Sequence, residues 1–186
     1  NLLADERGWF MRLGEADLNG LPEFLISAAR SAGDEKDAGG PVITLSRSLI
    51  VPFLQFSPRR DLREKAWQAW SSRGANGGKT DNRLIVAEIL KLREERAHLL
   101  GYPDFAHYKL ETEMAASPKA VEDLLLQVWQ PAQAAANADA ATLEAMLHAD
   151  EEAGQLEPWD WRYYSEKRRA EEHDLNEAEL KPYLQL

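Results

Sequence analysis

The chain has 186 residues, 32 acidic and 22 basic, for a formal net charge of −10. Its 44% hydrophobic and 29% charged residues suit a soluble folded domain, or two small ones, rather than a disordered tail. No run approaches the roughly 18 consecutive apolar residues of a membrane span, no basic and apolar leader is visible at the start, and the lack of cysteine excludes disulfides, a thiolate zinc site and a thiol nucleophile.

The elements expected along the chain are mostly helical. Leu21-Pro22-Glu23 opens a helix with Phe24, Leu25, Ala28 and Ala29 on its apolar side, stopped by Gly33. Residues 34–40 form a polar, Gly-rich loop. Residues 41–46 are the one strand, short, β-branched and bounded by Gly and Pro. A lone strand needs a partner, from a hairpin or from outside this chain. Residues 49–56 form a short apolar run broken by Pro52. Ser57-Pro58 predicts a helix start, a capping hydroxyl followed by proline at the first helical position. That helix runs to about Arg73, with Leu62, Ala66, Trp67, Ala69 and Trp70 inward.

After a loop at 74–79, Asp81 caps a helix over about 82–100, closed by Gly101. Ile85, Ile89, Leu92, Arg96 and Leu99 form its stripe, with Arg96 either a stem packed on the core or a buried ion-pair member. Pro103 opens a helical turn through Phe105, His107, Tyr108 and Leu110. Ser117-Pro118 repeats the cap-and-proline start, and a long alanine-rich helix follows to about Asp150, with a kink expected at Pro131. Residues 151–157 connect to a last aromatic helix beyond Pro158. Asn176-Glu177-Ala178-Glu179 has capping-box spacing and begins a short turn that Pro182 ends. The fold class is therefore mostly α and multi-helix, with one short strand or hairpin near residues 41–46. Residues 1–186 read as one helical fragment with a sub-boundary near 33–57.

The chemistry-bearing residues form no complete site. His98, His107, His148 and His173 include no HxxxH or HExxH pair. Glu94 and His98, four apart, have the spacing to share a metal, although a surface helix pair is the simpler reading. His107 reads as packed and hydrogen-bonded. Glu94-Glu95, Glu151-Glu152 and Glu171-Glu172 read as solvated, since catalytic carboxylates need a cleft and opposed environments. Ser46, Ser48, Ser71 and Ser72 lie in no nucleophile elbow. Gly77-Gly78-Lys79-Thr80 is similar to the end of a phosphate loop, but Arg73 holds the place of its first glycine and no strand leads in. Arg59, Arg60 and Arg63, then Lys167, Arg168 and Arg169, sit among acids and read as solvated faces, so no nucleic-acid partner is expected. Trp159-Asp160-Trp161-Arg162-Tyr163-Tyr164 reads as an aromatic core brace, Asp160 capping and Trp161 buried. The other reading is the aromatic wall of a peptide cleft. No catalytic, cofactor-binding or metal residue is assigned within the chain.

Several strings occur together and in order: Gly20-Leu21-Pro22-Glu23, the strand at 41–45, Leu62-Arg63-Glu64-Lys65-Ala66, and the stretch 92–102 with Arg93, Glu94 and His98. Met114-Ala115, the aromatic string 159–164 and Leu180-Lys181-Pro182-Tyr183 complete the set. The set resembles the thimet oligopeptidase/neurolysin family of zinc metallopeptidases over essentially the whole chain. The aromatic string and the helix start at Asn82 look most like its bacterial peptidyl-dipeptidase (dipeptidyl carboxypeptidase) branch. The resemblance implies a helical, two-lobed enzyme with a deep channel that cuts short peptides, releasing C-terminal dipeptides in that branch. It implies zinc in the parent enzyme, held by an HExxH helix and a distant glutamate, none of which this sequence contains. Both ends read as cut, so the chain is expected to be an inactive internal segment upstream of that motif, building the channel wall. Its partners would be the remainder of the parent and short peptides; in the isolated chain, Leu2, Leu3, Trp9 and Phe10 at one end and Tyr183, Leu184 and Leu186 at the other would either mediate self-association or fold back over the chain's own core. No membrane partner is expected, and the location reads as cytoplasmic, with the periplasm compatible. The rival is a stand-alone helical binding or scaffold module.

Overall fold

In the computed structural model, residues 1–150 and 154–173 are described, so the capping box at 176–179, the string at 180–183 and the C-terminal apolar residues lie outside the described residues. The chain divides into two compact units, one of Asn1–Arg73 with Ala140–Leu186, the other of Gly74–Asp139. Eight α-helices and one two-stranded sheet are present among the described residues, so the fold is mostly α.

The first unit starts with α1 (Leu2–Gly8), β1 (Phe10–Arg12) and a 3-10 turn (Glu15–Leu18). α2 (Glu23–Glu35) and β2 (Val42–Thr44) follow. β1 supplies the partner that the strand needed, pairing antiparallel with Phe10 opposite Thr44, Met11 opposite Ile43 and Arg12 opposite Val42. Three residues are too few to show a period-two pattern, so β1 left no signal in the sequence. Gly33 does not stop α2. The turn comes later, with Asp37 at φ 48° and the Ala38 amide donating to the Gly33 carbonyl at 2.9 Å. Gly33 is there for space instead: a Cβ would stand 2.0 Å from the Gly40 carbonyl oxygen.

The run broken by proline is the central helix, α3 (Arg47–Phe56), with Leu49, Ile50, Phe53 and Leu54 buried. Pro52 removes an amide whose acceptor would be the Ser48 carbonyl. Ser48 is exposed, so water can satisfy that carbonyl and the helix continues. Leu25, Ala29, Ile43, Leu45, Phe53 and Ala66 join in one core cluster, each large side chain contributing about 1.5–3 kcal/mol on full burial.

α4 (Arg60–Ser71) begins two residues after the expected start. Ser57 is buried and closes α3 rather than opening α4. Its carbonyl accepts from Arg63, which fixes Pro58 and Arg59 as a link. Leu62 and Ala66 point inward as expected, whereas Trp67, Ala69 and Trp70 are half-buried. The last part of α7 (Pro118–Ala149) and α8 (Trp161–His173) complete this unit, with Leu143, Leu147 and Tyr164 forming a second cluster.

The second unit holds α5 (Arg83–Leu99), α6 (Phe105–Leu110) and the first part of α7. Its boundaries follow local chemistry. Asp81 accepts the Arg83 amide at 2.9 Å, Gly101 adopts φ 84° beyond α5, and Ser117 Oγ accepts the Ala120 amide at 3.2 Å. The helical stripe of α5 is real but outward: Ile85, Ile89 and Leu92 are exposed and Leu99 is 87% exposed. Arg96 is neither a core stem nor a buried ion-pair member; it donates to Tyr108 Oη at 2.9 Å with its guanidinium 5.2 Å from that ring centre. α7 carries Pro131 in its interior.

Candidate functional site

The most organised polar cluster lies in the first unit, where α4 meets the start of α8. Arg63 lies on the inward stripe of α4 with Ala66 and is 1% exposed. Asp160 immediately precedes α8 and is 0% exposed. Its carboxylate accepts Arg63 Nη2 at 2.8 Å and Arg60 Nη2 at 2.8 Å, with Arg60 Nε at 3.1 Å from each oxygen. The Glu157 amide adds a fifth bond at 3.1 Å. Arg63 also donates to the Ser57 carbonyl at 2.7 Å and the Trp159 carbonyl at 3.2 Å, and its guanidinium stands 4.2 Å from the Tyr163 ring centre. Arg60 reaches the Gln155 carbonyl at 3.0 Å.

Burial opposes ionisation of Asp160, but the bonds from Arg60, Arg63 and the Glu157 amide outweigh it and hold the carboxyl below its ordinary value. Both oxygens are occupied by donors, so the group has no lone pair placed to take a substrate proton. The cluster is an ionic clamp. The expectation that Arg60 and Arg63 are solvated is therefore corrected: Arg63 is buried, and Arg60 is mostly covered. The signal was the position of Arg63 one residue after Leu62 and three before Ala66, on an apolar stripe with a carboxylate in the aromatic string. Arg59 stays at the surface, paired with Asp61 and Asp17. Lys167, Arg168 and Arg169 are half-exposed and pair with Asp150, Glu172 and Glu166.

The aromatic string divides. Asp160 and Tyr164 are buried, and burial, then the Asp150 charge, pushes the Tyr164 hydroxyl up to about 12. Trp161, expected in the core, is 38% exposed, because the first turn of α8 turns that side outward. Trp159 meets Trp67 edge to face at 5.8 Å.

The remaining expected sites are taken up by the chain itself. His107 is exposed rather than packed, and Asp104, the cap of α6, accepts its amide and holds its Nδ1 at 2.7 Å. His98 Nε2 sits 2.9 Å from the Pro103 carbonyl and His148 Nε2 2.9 Å from the Gly154 carbonyl. In the loop similar to a phosphate loop, the Gly77 amide donates to Asp81 and the Gly78 amide to Asn76, so a carboxylate and an amide of this chain already occupy those donors. No group of three histidine, aspartate or glutamate side chains among the described residues is placed to hold a metal. No described helix is long and apolar enough to cross a membrane.

Comparison with known proteins adds the decisive observation. The sequence pattern of peptidase family M3 matches residues 53–186, from the middle of α3 through the clamp and beyond. The chain belongs to peptidase family M3. Among M3 relatives, oligopeptidase A of Salmonella typhimurium is 35% identical over 98% of this chain and 28% of its own length. The probable cytosolic oligopeptidase A of Arabidopsis thaliana is 37% identical over 91% of this chain and 25% of its own length. Dipeptidyl carboxypeptidase of Escherichia coli is 31% identical over the whole chain and 27% of its own length. The thimet oligopeptidase-like membership inferred from the ordered strings is thus established, with dipeptidyl carboxypeptidases among the relatives. The M3 chain spans about a quarter of the length of these curated relatives.

Proposed function

We propose that this chain is the helical, non-catalytic part of a zinc-dependent M3 peptidase, and that it forms part of the wall of a channel admitting short peptides. The relatives' names, oligopeptidase and dipeptidyl carboxypeptidase, support peptides as substrates and release of C-terminal dipeptides as one form of the reaction. The observation that carries the reading is the apolar surface of the second unit. Leu84, Ile85, Val86 and Leu90 on α5, and Leu125 and Trp129 on α7, are each exposed. Large apolar side chains exposed in such number suit surface that is covered in a larger protein, and they support a piece that works inside a longer polypeptide.

The residues described do not fit zinc. The Nε2 atoms of His98 and His148 face backbone carbonyls, His107 Nδ1 is held by its own capping aspartate, and no group of three ligands converges among the described residues. In this reading the metal and its general base come from sequence outside these 186 residues, and no step of the reaction is assigned to a side chain of this chain. The reading includes a cytoplasmic location, which a cysteine-free chain allows.

The test compares the 186-residue chain with a longer M3 polypeptide containing it, assaying dipeptide release from short peptides with and without a chelator. The longer protein is expected to be active and chelator-sensitive, and the chain alone silent. Chelator-sensitive hydrolysis by the purified chain alone would overturn the reading, and a longer protein without peptidase activity would favour a scaffold.

A further inference from the structure

The outer edge of β1 offers main-chain groups that the sheet leaves unpaired. β1 and β2 form a two-stranded sheet, with α2 and α3 packed beside β2. The Leu13 amide donates to the Pro41 carbonyl at 2.9 Å, one step beyond the Arg12–Val42 pair. Antiparallel alternation then places the ladder bonds at Met11 and Ile43, and turns the amides and carbonyls of Phe10 and Arg12 away from β2. Beside this edge lies a groove of about 700 Å³, lined by Trp9, Phe10 and Met11 and by α4 residues including Lys65, Trp67 and Gln68.

The charge of the groove runs against that of the chain. The molecule carries −10 overall, yet among the described residues the groove lining holds a lysine and no acid. Lys65 is exposed and makes no salt bridge with any described residue; Asp61, one turn back, is bonded by Arg59, and the Lys65 charge acts on it only as a lesser influence. Three aromatic rings, an exposed lysine and two strand residues with outward main-chain groups point to one kind of occupant. Strand addition supplies affinity through main-chain bonds and specificity through alternate side chains.

We propose that the β1 edge and its groove bind a separate, extended acidic peptide as a third strand. The peptide main chain bonds Phe10 and Arg12, an apolar side chain rests on Trp9, Phe10 and Trp67, and an acidic side chain meets Lys65. The inference stands apart from the peptidase reading, since it needs no catalysis.

The test is fluorescence anisotropy of a labelled, acetylated and amidated pentapeptide alternating valine with phenylalanine and glutamate, titrated with the 186-residue chain. Measured against Arg12→Ala, which loses the same side chain but keeps the amide, Arg12→Pro removes only the outward amide, because the Arg12 N–H takes no part in the ladder, and proline is tolerated at sheet edges. It is expected to weaken binding about tenfold, as is N-methylation of the peptide amides that face β1. Lys65→Glu, outside the sheet, is expected to weaken the glutamate peptide and to favour a lysine peptide in its place. Melting curves of both variants report whether the unit still folds. The proposal is overturned if the unmodified peptide does not bind, or if the N-methylated peptide binds as well. It is equally overturned if sedimentation shows that the edge is closed by a second copy which Arg12→Pro releases.

Discussion

Arg63 and Asp160 lie 97 residues apart in sequence and meet at 2.8 Å, the one 1% and the other 0% exposed at its side chain. The first unit is made of two stretches of chain separated by the whole second unit. This pair, with Arg60, bridges those stretches at the point where α8 begins. A buried ion pair contributes little over an apolar substitute, but breaking it leaves an unpaired charge inside the protein. The clamp therefore acts as a constraint on which segments may pair.

Asp160→Ala is expected to cost about 3–5 kcal/mol, because it strands the buried Arg63 guanidinium. Urea unfolding followed by tryptophan fluorescence measures it. Arg63→Lys should fall between that variant and the wild type, since an ammonium keeps the charge but cannot reach Asp160, Ser57 and Trp159 in one plane. A loss below about 1 kcal/mol for Asp160→Ala would mean that water replaces the arginines.

The same group sets an acid limit. Despite its burial, Asp160 is held below its ordinary 3.8 by the bonds it accepts. The unfolded chain thus binds the proton more readily than the folded one, so the contribution is fully present above about pH 4 and is lost as pH falls through the folded value. The melting temperature should fall on acidification below about pH 4, and Asp160→Asn should be less stable but flatter over that range. An equal acid slope in both proteins would assign the effect to other carboxylates.

Two glycines in helices separate space from propensity. Gly33→Ala puts a Cβ 2.0 Å from the Gly40 carbonyl oxygen, whereas Gly8→Ala meets nothing within 4 Å. The first should destabilise by about 1–3 kcal/mol or more, through displacement of the 38–41 segment. The second should be neutral or slightly stabilising, since alanine favours a helix over glycine. Equal melting temperatures for the two variants would contradict the close approach.

The tryptophans should rank by contact. Trp67 packs on the core cluster and against Trp159, so Trp67→Ala should cost about 2–3 kcal/mol, short of the value for full burial. Trp161→Ala, at an exposed position, should stay within about 1 kcal/mol. Thermal melts in parallel decide it, and a larger loss for Trp161 would reverse the assignment.

The outward apolar faces of α5 and α7 should make the isolated chain self-associate as concentration rises, against its net negative charge. Light scattering on the wild type and on a Leu90→Glu, Leu125→Glu double variant reads this out. The double variant is expected to shift the onset of association to higher concentration. No difference between the two proteins would place the contact elsewhere.

Local chemistry and family pattern were legible in the sequence; burial was not. The Asp81 cap, the Gly101 stop and the Ser117-Pro118 start are settled within three or four residues of chain, because a cap bonds amides in its own first turn. The same locality makes the mostly helical class readable, and the ordered strings carried the M3 membership. Which face of each element turns inward depended on what came to lie opposite. β1 needed β2 thirty residues on, α3 could keep Pro52 because Ser48 faces water, and Arg63 was read as solvated until Asp160 closed over it. Ile85, Ile89 and Leu92 have perfect helical spacing and still face outward. Periodicity reports that residues share a face, and only the tertiary structure decides whether that face meets water, a carboxylate or another helix.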